Sequence, residues 1–213
     1  MFDEFLRGIE PRIEALLRDV LRARVDSERN RGLRRDIALR FLAQLLTDDE
    51  RAVLLGLPAT CRVRENTKVL MPEKLVCGDH VWIGENAYID ASGGLTIGNH
   101  VTIGVGVYVW THTSLLANLL HRNHAGGAHV IRRSTVIGEG CYIVGHSVLN
   151  PGVSLGAGSV VLPMSVVTRD VPAGTVVAGA PAVPVTQVDA AFIAGLREEL
   201  LAQRGGQHAP SAP

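Results

Sequence analysis

Ile143-Val-Gly-His-Ser-Val-Leu149-Asn-Pro-Gly-Val-Ser-Leu155-Gly-Ala-Gly-Ser-Val-Val161-Leu-Pro-Met-Ser-Val-Val167 is the stretch whose period decides the fold. An aliphatic residue returns every six positions, and the same phase runs back through Ile137 to Ile131. Neither a helix, with its period of 3.6, nor a half-buried strand, with its period of 2, produces that spacing. Gly often follows the aliphatic residue (Gly78, Gly84, Gly98, Gly104, Gly138, Gly156). Four places after it stands a small or β-branched residue: Val81, Ala87, Val101, Val107, Ser147, Val153, Ser159 and Ser165.

An earlier run has the same period. Met71, Cys77, Ile83 and Ile89 are followed, after a two-residue slip, by Ile97, Ile103 and Val109. Short strands joined by tight turns, three hexads to a coil, satisfy such a pattern. The aliphatic residue points inward and stacks on its equivalents above and below, small residues occupy the converging corners, and Gly or Asn supplies positive φ. A sandwich would instead need strands every 8–12 residues with alternating polarity. The expected fold is mainly β, a left-handed parallel β-helix of hexapeptide repeats over residues 63–185. The left hand is an exception to the right-handed crossover rule.

The flanks read differently. Residues 1–62 are an expected α-helical segment, with Phe5, Leu6, Ile9, Ile13, Leu16, Leu17, Val20 and Leu21 at helical spacing. Ile37, Phe41, Leu42, Leu45 and Leu46 mark a second stretch. Thr47 and Glu50 form a capping box for a short third helix that ends at Gly56 before Pro58. Arginines alternate with acids here, so packing on protein is the simpler reading than a membrane-surface helix. A helix capped near Asp189, with Phe192, Leu196 and Leu200 on one face, is expected over 186–204, and a disordered tail over 205–213.

Of the 213 residues, 46% are hydrophobic but only 4% aromatic, so Val, Ile, Leu and Ala must build the core. The 21 Lys and Arg balance the 21 Asp and Glu, which leaves no basic footprint for nucleic acid and no case for an anionic membrane surface. No apolar run reaches the length of a membrane span, and Met1-Phe-Asp-Glu4 lacks the basic start of a signal peptide. Three cysteines (Cys61, Cys77 and Cys141) make no disulfide framework, and a cytoplasmic chain with free thiols is expected.

Between Val109 and Ile131 the hexad phase breaks. The intervening residues, 113–130, form an expected ejected loop, which is where a solenoid usually carries its function. Together with Ile143–Gly156, the stretches Val167-Thr-Arg-Asp-Val-Pro172 and Val177-Ala-Gly-Ala-Pro-Ala182 resemble the hexapeptide-repeat acyltransferases. Tyr88-Ile-Asp-Ala-Ser-Gly-Gly-Leu-Thr-Ile-Gly98 and Trp110-Thr-His-Thr113 look most like the sugar and polysaccharide O-acetyltransferases of that family. The resemblance covers about residues 75 to 185. It implies a homotrimer with acyl-CoA lying in a groove between two coils.

The resemblance further implies His112 as catalytic base, Asp90 as the acceptor-side residue, Tyr142 as the aromatic on the CoA side and Gly145 beside pantetheine. Thr168 and Arg169 would lie near the adenine end. Pro163 falls on the pantetheine channel, where Leu162-Pro-Met-Ser165 replaces the family's usual Gly-Ala-Gly-Ser. Val183 stands where a Lys or Arg is common, which leaves more of the phosphate contact to Arg169.

The residues support the chemistry. Histidine, with an ordinary pKa near 6.5, is suited to take a hydroxyl proton, and a backbone N–H would meet the oxyanion. Asp90 could hold the acceptor or orient His112, and both roles stay open at this point. The expected activity moves an acetyl group from acetyl-CoA to a hydroxyl of a sugar or glycan precursor, in a cytoplasmic homotrimer without bound metal, membrane span or nucleic-acid partner. The alternatives are N-acetylation of an amino sugar, a non-catalytic trimeric scaffold, and a γ-carbonic-anhydrase-like zinc enzyme. The last rests on His124 and His129, five positions apart. Arg122, Arg132 and Arg133 are candidates for steering an anion.

Overall fold

The computed structural model describes residues 8, 11–16, 28–122 and 127–206. It divides into two compact units, Met1–Thr47 and Asp48–Pro213. In the first, the helix Glu28–Ala43 is described, and Arg34 Nη1 lies 3.0 Å from Glu14 Oε1. Ile13 and Leu16 are helical. The rest of the first expected helix lies outside the described residues, as do 207–213 of the expected tail.

The second unit is a parallel β-solenoid of about six turns. Its first wall stacks Arg62–Val63, Trp82–Ile83, Thr102–Ile103, Tyr142–Ile143, Val160–Val161 and Thr175–Gly179 in parallel. The second stacks Lys68–Leu70, Tyr88–Asp90, Tyr108–Val109, Val148–Leu149 and Val166–Val167. The third stacks Leu75–Cys77, Leu95–Ile97, Thr135–Ile137 and Ser154–Leu155. The hexad residues line the interior: Ile83, Ile89, Ile103, Ile137, Ile143, Leu149 and Val161 are all fully buried. Each large aliphatic side chain contributes about 1.5–3 kcal/mol by leaving water. The small corner residues are buried too, and the corner serines are paired: Ser147 Oγ and Ser165 Oγ donate to the Leu162 carbonyl at 3.0 and 2.7 Å.

Two residues of the expected repeat are not in it. Met71 sits at a corner with φ of 55°. The inward residue of that coil is Val69, which pairs with Ile89. The two-residue slip seen after Ile89 therefore occurs one coil earlier as well, between Val69 and Cys77. Ile131 lies outside the walls, in a short antiparallel ribbon opposite Thr113. The second run begins instead at Ile137.

Both slips and the ejected loop fall at the same corner, between the second and third walls. The lower coils advance by a residue step that places Arg62 under Trp82 and Trp82 under Thr102, whereas above the loop Tyr142 pairs with Val160. The longer lower coils have three-residue strands on the third wall, so Leu95 and Ile97 both point inward and are buried.

Each end of the coil is closed. Below, the helix Asp48–Leu54 inserts Ala52 into the core, and Arg51 Nη1 donates to the Val63 carbonyl at 2.9 Å. That helix ends as its sequence predicts. Gly56, at φ of 76°, donates to the Val53 carbonyl while Leu57 N donates to Ala52, which closes a Schellman turn that a residue with a Cβ would strain. Above, the chain does not continue as coil to 185. Thr175–Gly179 folds back on Ala182–Gln187 as an antiparallel pair. Helix Ala190–Gly206 follows, its start held by Asp189 Oδ1, which accepts from Phe192 N at 2.8 Å. Among the described residues no helix is long and apolar enough to cross a membrane.

Candidate active site

Asp90 ends the second-wall strand Tyr88–Asp90, and its side chain is fully buried at the widened corner. One coil above, Val109 leads through Trp110 and Thr111 to the strand His112–Thr113, where the ejected loop departs. The stacking of coils thus brings Asp90 beneath Thr111 and His112. His112 Nδ1 lies 2.6 Å from Asp90 Oδ2, and Ser92 Oγ is 3.1 Å from the same nitrogen. Asp90 Oδ2 also accepts from Thr111 N at 2.9 Å and from Thr111 Oγ1 at 3.0 Å, while Oδ1 accepts from Ser92 N at 2.9 Å.

A carboxylate with this many donors is fixed in place. Burial draws the Asp90 carboxyl upward, but the hydrogen bonds from Ser92, Thr111 and His112 outweigh it and hold the group below its ordinary value. An ionised acceptor at Nδ1 keeps the imidazole proton on that nitrogen, so the Nε2 lone pair is the one left to act. The His112 side chain is 26% exposed, against 0% for Asp90. The imidazole is therefore reachable, and the carboxylate behind it is sealed. Of the two roles open for Asp90, this geometry supports orienting the histidine.

The corner leaves no room for change. A Cβ on Gly93 would collide with the Thr111 carbonyl oxygen. Gly93 N donates to Thr111 Oγ1 at 2.8 Å, and Arg133 N donates to the Thr111 carbonyl at 2.8 Å. Thr135 Oγ1 donates to the Trp110 carbonyl at 3.0 Å and accepts from Gly152 N. Every buried side-chain nitrogen or oxygen among the described residues has a partner.

Outside the second wall an aromatic ladder rises to the histidine. Lys68 Nζ is 4.7 Å from the centre of the Tyr88 ring, and Tyr88 stacks with Tyr108 at 6.1 Å and meets Trp110 at a tilt at 5.0 Å. The Trp110 ring meets His112 edge-on at 6.1 Å. Sequence reasoning missed this ladder and the roles of Ser92, Thr111 and Thr135. The ladder's signal was present: Tyr88, Tyr108 and the neighbouring Trp110 stand at coil spacing in a chain otherwise poor in aromatics.

The donor-side candidates are not beside His112. Tyr142 points outward from the first wall and is half exposed. Gly145 and Pro163 lie one coil apart at the corner between the first and second walls, where Met164 N donates to the Gly145 carbonyl at 3.3 Å. Thr168 and Arg169 are exposed at the same corner as His112, on the uppermost coil. One chain thus carries two groups of candidate residues on two different edges of the prism. Among the described residues no cluster of three or more His, Cys, Asp or Glu could hold a metal ion. His124 lies outside the described residues, and His129 stands in the loop.

No family model matches the chain. It is 32% identical over 126 residues to the protein assigned as the colanic acid biosynthesis acetyltransferase WcaF of Escherichia coli K12, a match that covers 59% of this chain and 65% of that one. It is also 32% identical over 123 residues to the galactoside O-acetyltransferase of the same organism, covering 56% and 60%. A hexapeptide-repeat acetyltransferase of Vibrio cholerae, crystallised with acetyl coenzyme A, superimposes with a TM-score of 0.65 at 28% identity, over 78% of this chain and 92% of its own. The chain is thus similar in sequence and in fold to hexapeptide-repeat acetyltransferases. It spans less than two thirds of the length of the two curated relatives. Among the described residues, the His112 corner carries a built polar site.

Proposed function

We propose that the protein is an acetyl-CoA-dependent acetyltransferase that acetylates a hydroxyl of a sugar or glycan precursor, with His112 as general base. The observation that carries this reading is the 2.6 Å contact between His112 Nδ1 and the buried Asp90 Oδ2, which leaves Nε2 available at the rim. The acetyl-CoA found with the Vibrio cholerae protein and the sugar acceptor in the name of the galactoside enzyme support the two substrates.

Nε2 takes the proton of the acceptor hydroxyl as its oxygen bonds to the thioester carbonyl carbon. The tetrahedral oxyanion then collapses, the C–S bond breaks, and the thiolate leaves with the proton returned by the imidazolium. Asp90 is a positioning residue: it holds the tautomer and stabilises the imidazolium while the charge is there. The acetyl group passes directly from donor to acceptor in a ternary complex.

The donor-side candidates Tyr142, Gly145 and Pro163 stand on a different edge from His112. A homotrimer that sets this edge of one copy against the His112 corner of the next brings both groups to one groove. Thr168 and Arg169 face the adenine end of the donor from the His112 side. The assay is release of CoA thiol from acetyl-CoA in the presence of sugar acceptors. Acceptor-dependent release by the wild type, reduced about 10²–10⁴-fold in His112→Ala, is expected. Unchanged release by His112→Ala would overturn the assignment of the base.

A further inference from the structure

We propose that the acceptor carries an anionic group, a carboxylate or a phosphate, and that Arg132 binds it. The inference rests on the transferase reading above and concerns which sugar that site accepts.

Three observations carry it. First, Arg132 is the cross-strand partner of His112 in the ribbon that opens the ejected loop. The bond from Arg133 N to the Thr111 carbonyl flanks this pair, which marks it as a narrow, non-hydrogen-bonded one. Directly opposed side chains in such a pair share one face, with Cβ atoms about 4.5–5.5 Å apart. Arg132 therefore stands on the same face as the imidazole that meets the acceptor hydroxyl. Arg133 takes the other face, and its stem packs where a Cβ on Gly152 would sit.

Second, Arg132 is exposed and has no acidic partner among the described residues. It lies against the turn at Gly127, where an added Cβ would be 3.1 Å from Nη2 and 3.3 Å from Nη1. No ion pair joins it to a carboxylate among the described residues. An exposed arginine without a carboxylate partner presents the planar fork that matches carboxylate and phosphate oxygens.

Third, the sequence removes the competitors. From Ala91 to Gly138 there is no Asp or Glu, yet Arg122, Arg132 and Arg133 all fall there, in a chain whose total charge is zero. Lys74, two coils below His112, adds a cation at this corner, with Nζ 3.3 Å from the Ser92 carbonyl. Its neighbour Glu73 and the uppermost coil's Asp170 are the nearby acids, and Asp170 Oδ1 is occupied by Ser154 N at 2.8 Å. The buried Asp90 is committed to His112. Excess positive charge at the mouth of a site attracts anionic substrates and favours their binding.

The test uses matched acceptors with the full-length protein: methyl glucuronide against methyl glucoside, methyl galacturonide against methyl galactoside, and glucose 6-phosphate against glucose. The proposal expects higher kcat/KM on the anionic member of at least one pair, the carboxylate and phosphate pairs showing which anion is read. Arg132→Gln should lower that value roughly tenfold to a hundredfold through the acceptor KM, with the KM for acetyl-CoA unchanged. Arg132→Lys should retain part of the preference. Preference for neutral members throughout, or a rise in the acetyl-CoA KM in place of the acceptor KM, overturns it. If the protein binds acetyl-CoA and acetylates no anionic acceptor, this inference falls while the transferase reading stands. If it does not bind acetyl-CoA, the transferase reading itself falls.

Discussion

His112 Nδ1 and Asp90 Oδ2 lie 2.6 Å apart, although the two residues are separated by 22 positions in the chain. One turn of the solenoid accounts for the separation. Asp90 closes a strand on the second wall, and His112 follows the strand stacked upon it. The coil thus acts as a ruler that sets a buried carboxylate under a partly exposed imidazole, and backbone bonds from Ser92 and Thr111 fix the carboxylate in its turn.

Substitution of the two residues should separate their roles. His112→Ala removes the base and should lower kcat by about 10²–10⁴. Asp90→Asn replaces the acceptor at Nδ1 with an amide that also donates, so the imidazole can carry its proton on the wrong nitrogen. It should lower kcat substantially with little change in the acceptor KM. A rise in acceptor KM with kcat preserved would assign Asp90 to acceptor binding instead.

Stability should depend on pH through the same carboxylate. The folded-state pKa of Asp90 is depressed, so below the ordinary carboxylate value the unfolded chain binds more protons than the folded one. The stabilisation is complete above about pH 4, near the value of an unfolded Asp, and is lost as pH falls through the folded pKa. Urea midpoints between pH 2.5 and 6 should fall less steeply in Asp90→Asn than in the wild type. Parallel curves would contradict this.

Gly93→Ala should disable the site without touching a reacting group. The new Cβ must displace the Thr111 carbonyl, and with it the strand that carries His112. A shift of about 1 Å at a catalytic group can cost on the order of a hundredfold in rate. The expected result is a large loss of kcat in a protein that still folds, checked by circular dichroism and the transfer assay. Full activity would show that the corner tolerates the shift.

The cysteines should be inert in the native state. Cys61 and Cys141 are buried. Burial, and then the neighbouring Cys61, push the Cys77 thiol up to about 12, so it stays protonated at neutral pH. Iodoacetamide at pH 7.5 should label the native chain far more slowly than the urea-unfolded chain. Rapid native labelling of Cys77 would contradict the packing.

The hexad period made most of the coil legible, because each inward position in a solenoid meets the same environment and selects the same kind of residue. It failed where the period itself was broken. Met71 keeps the six-residue spacing across the two-residue slip that lies between Val69 and Cys77, and Ile131 matches the phase while belonging to the ribbon opposite Thr113. The closing hairpin Thr175–Gly179 with Ala182–Gln187 is indistinguishable in sequence from further coil, since aliphatic residues suit either arrangement. The family resemblance implies His112 and Asp90, but nothing in the sequence points to Ser92, Thr111 or Thr135. Their contributions come from backbone and hydroxyl contacts across coils, which no local pattern encodes. The placement of Tyr142 and Gly145 on another edge from His112 is equally a property of the closed prism.

Calorimetric titration of the purified protein with acetyl-CoA tests the transferase reading most directly. The account predicts saturable binding, near one molecule per chain, in the wild type and in His112→Ala alike, because the base acts on the acceptor. Absence of binding in the wild type would contradict it.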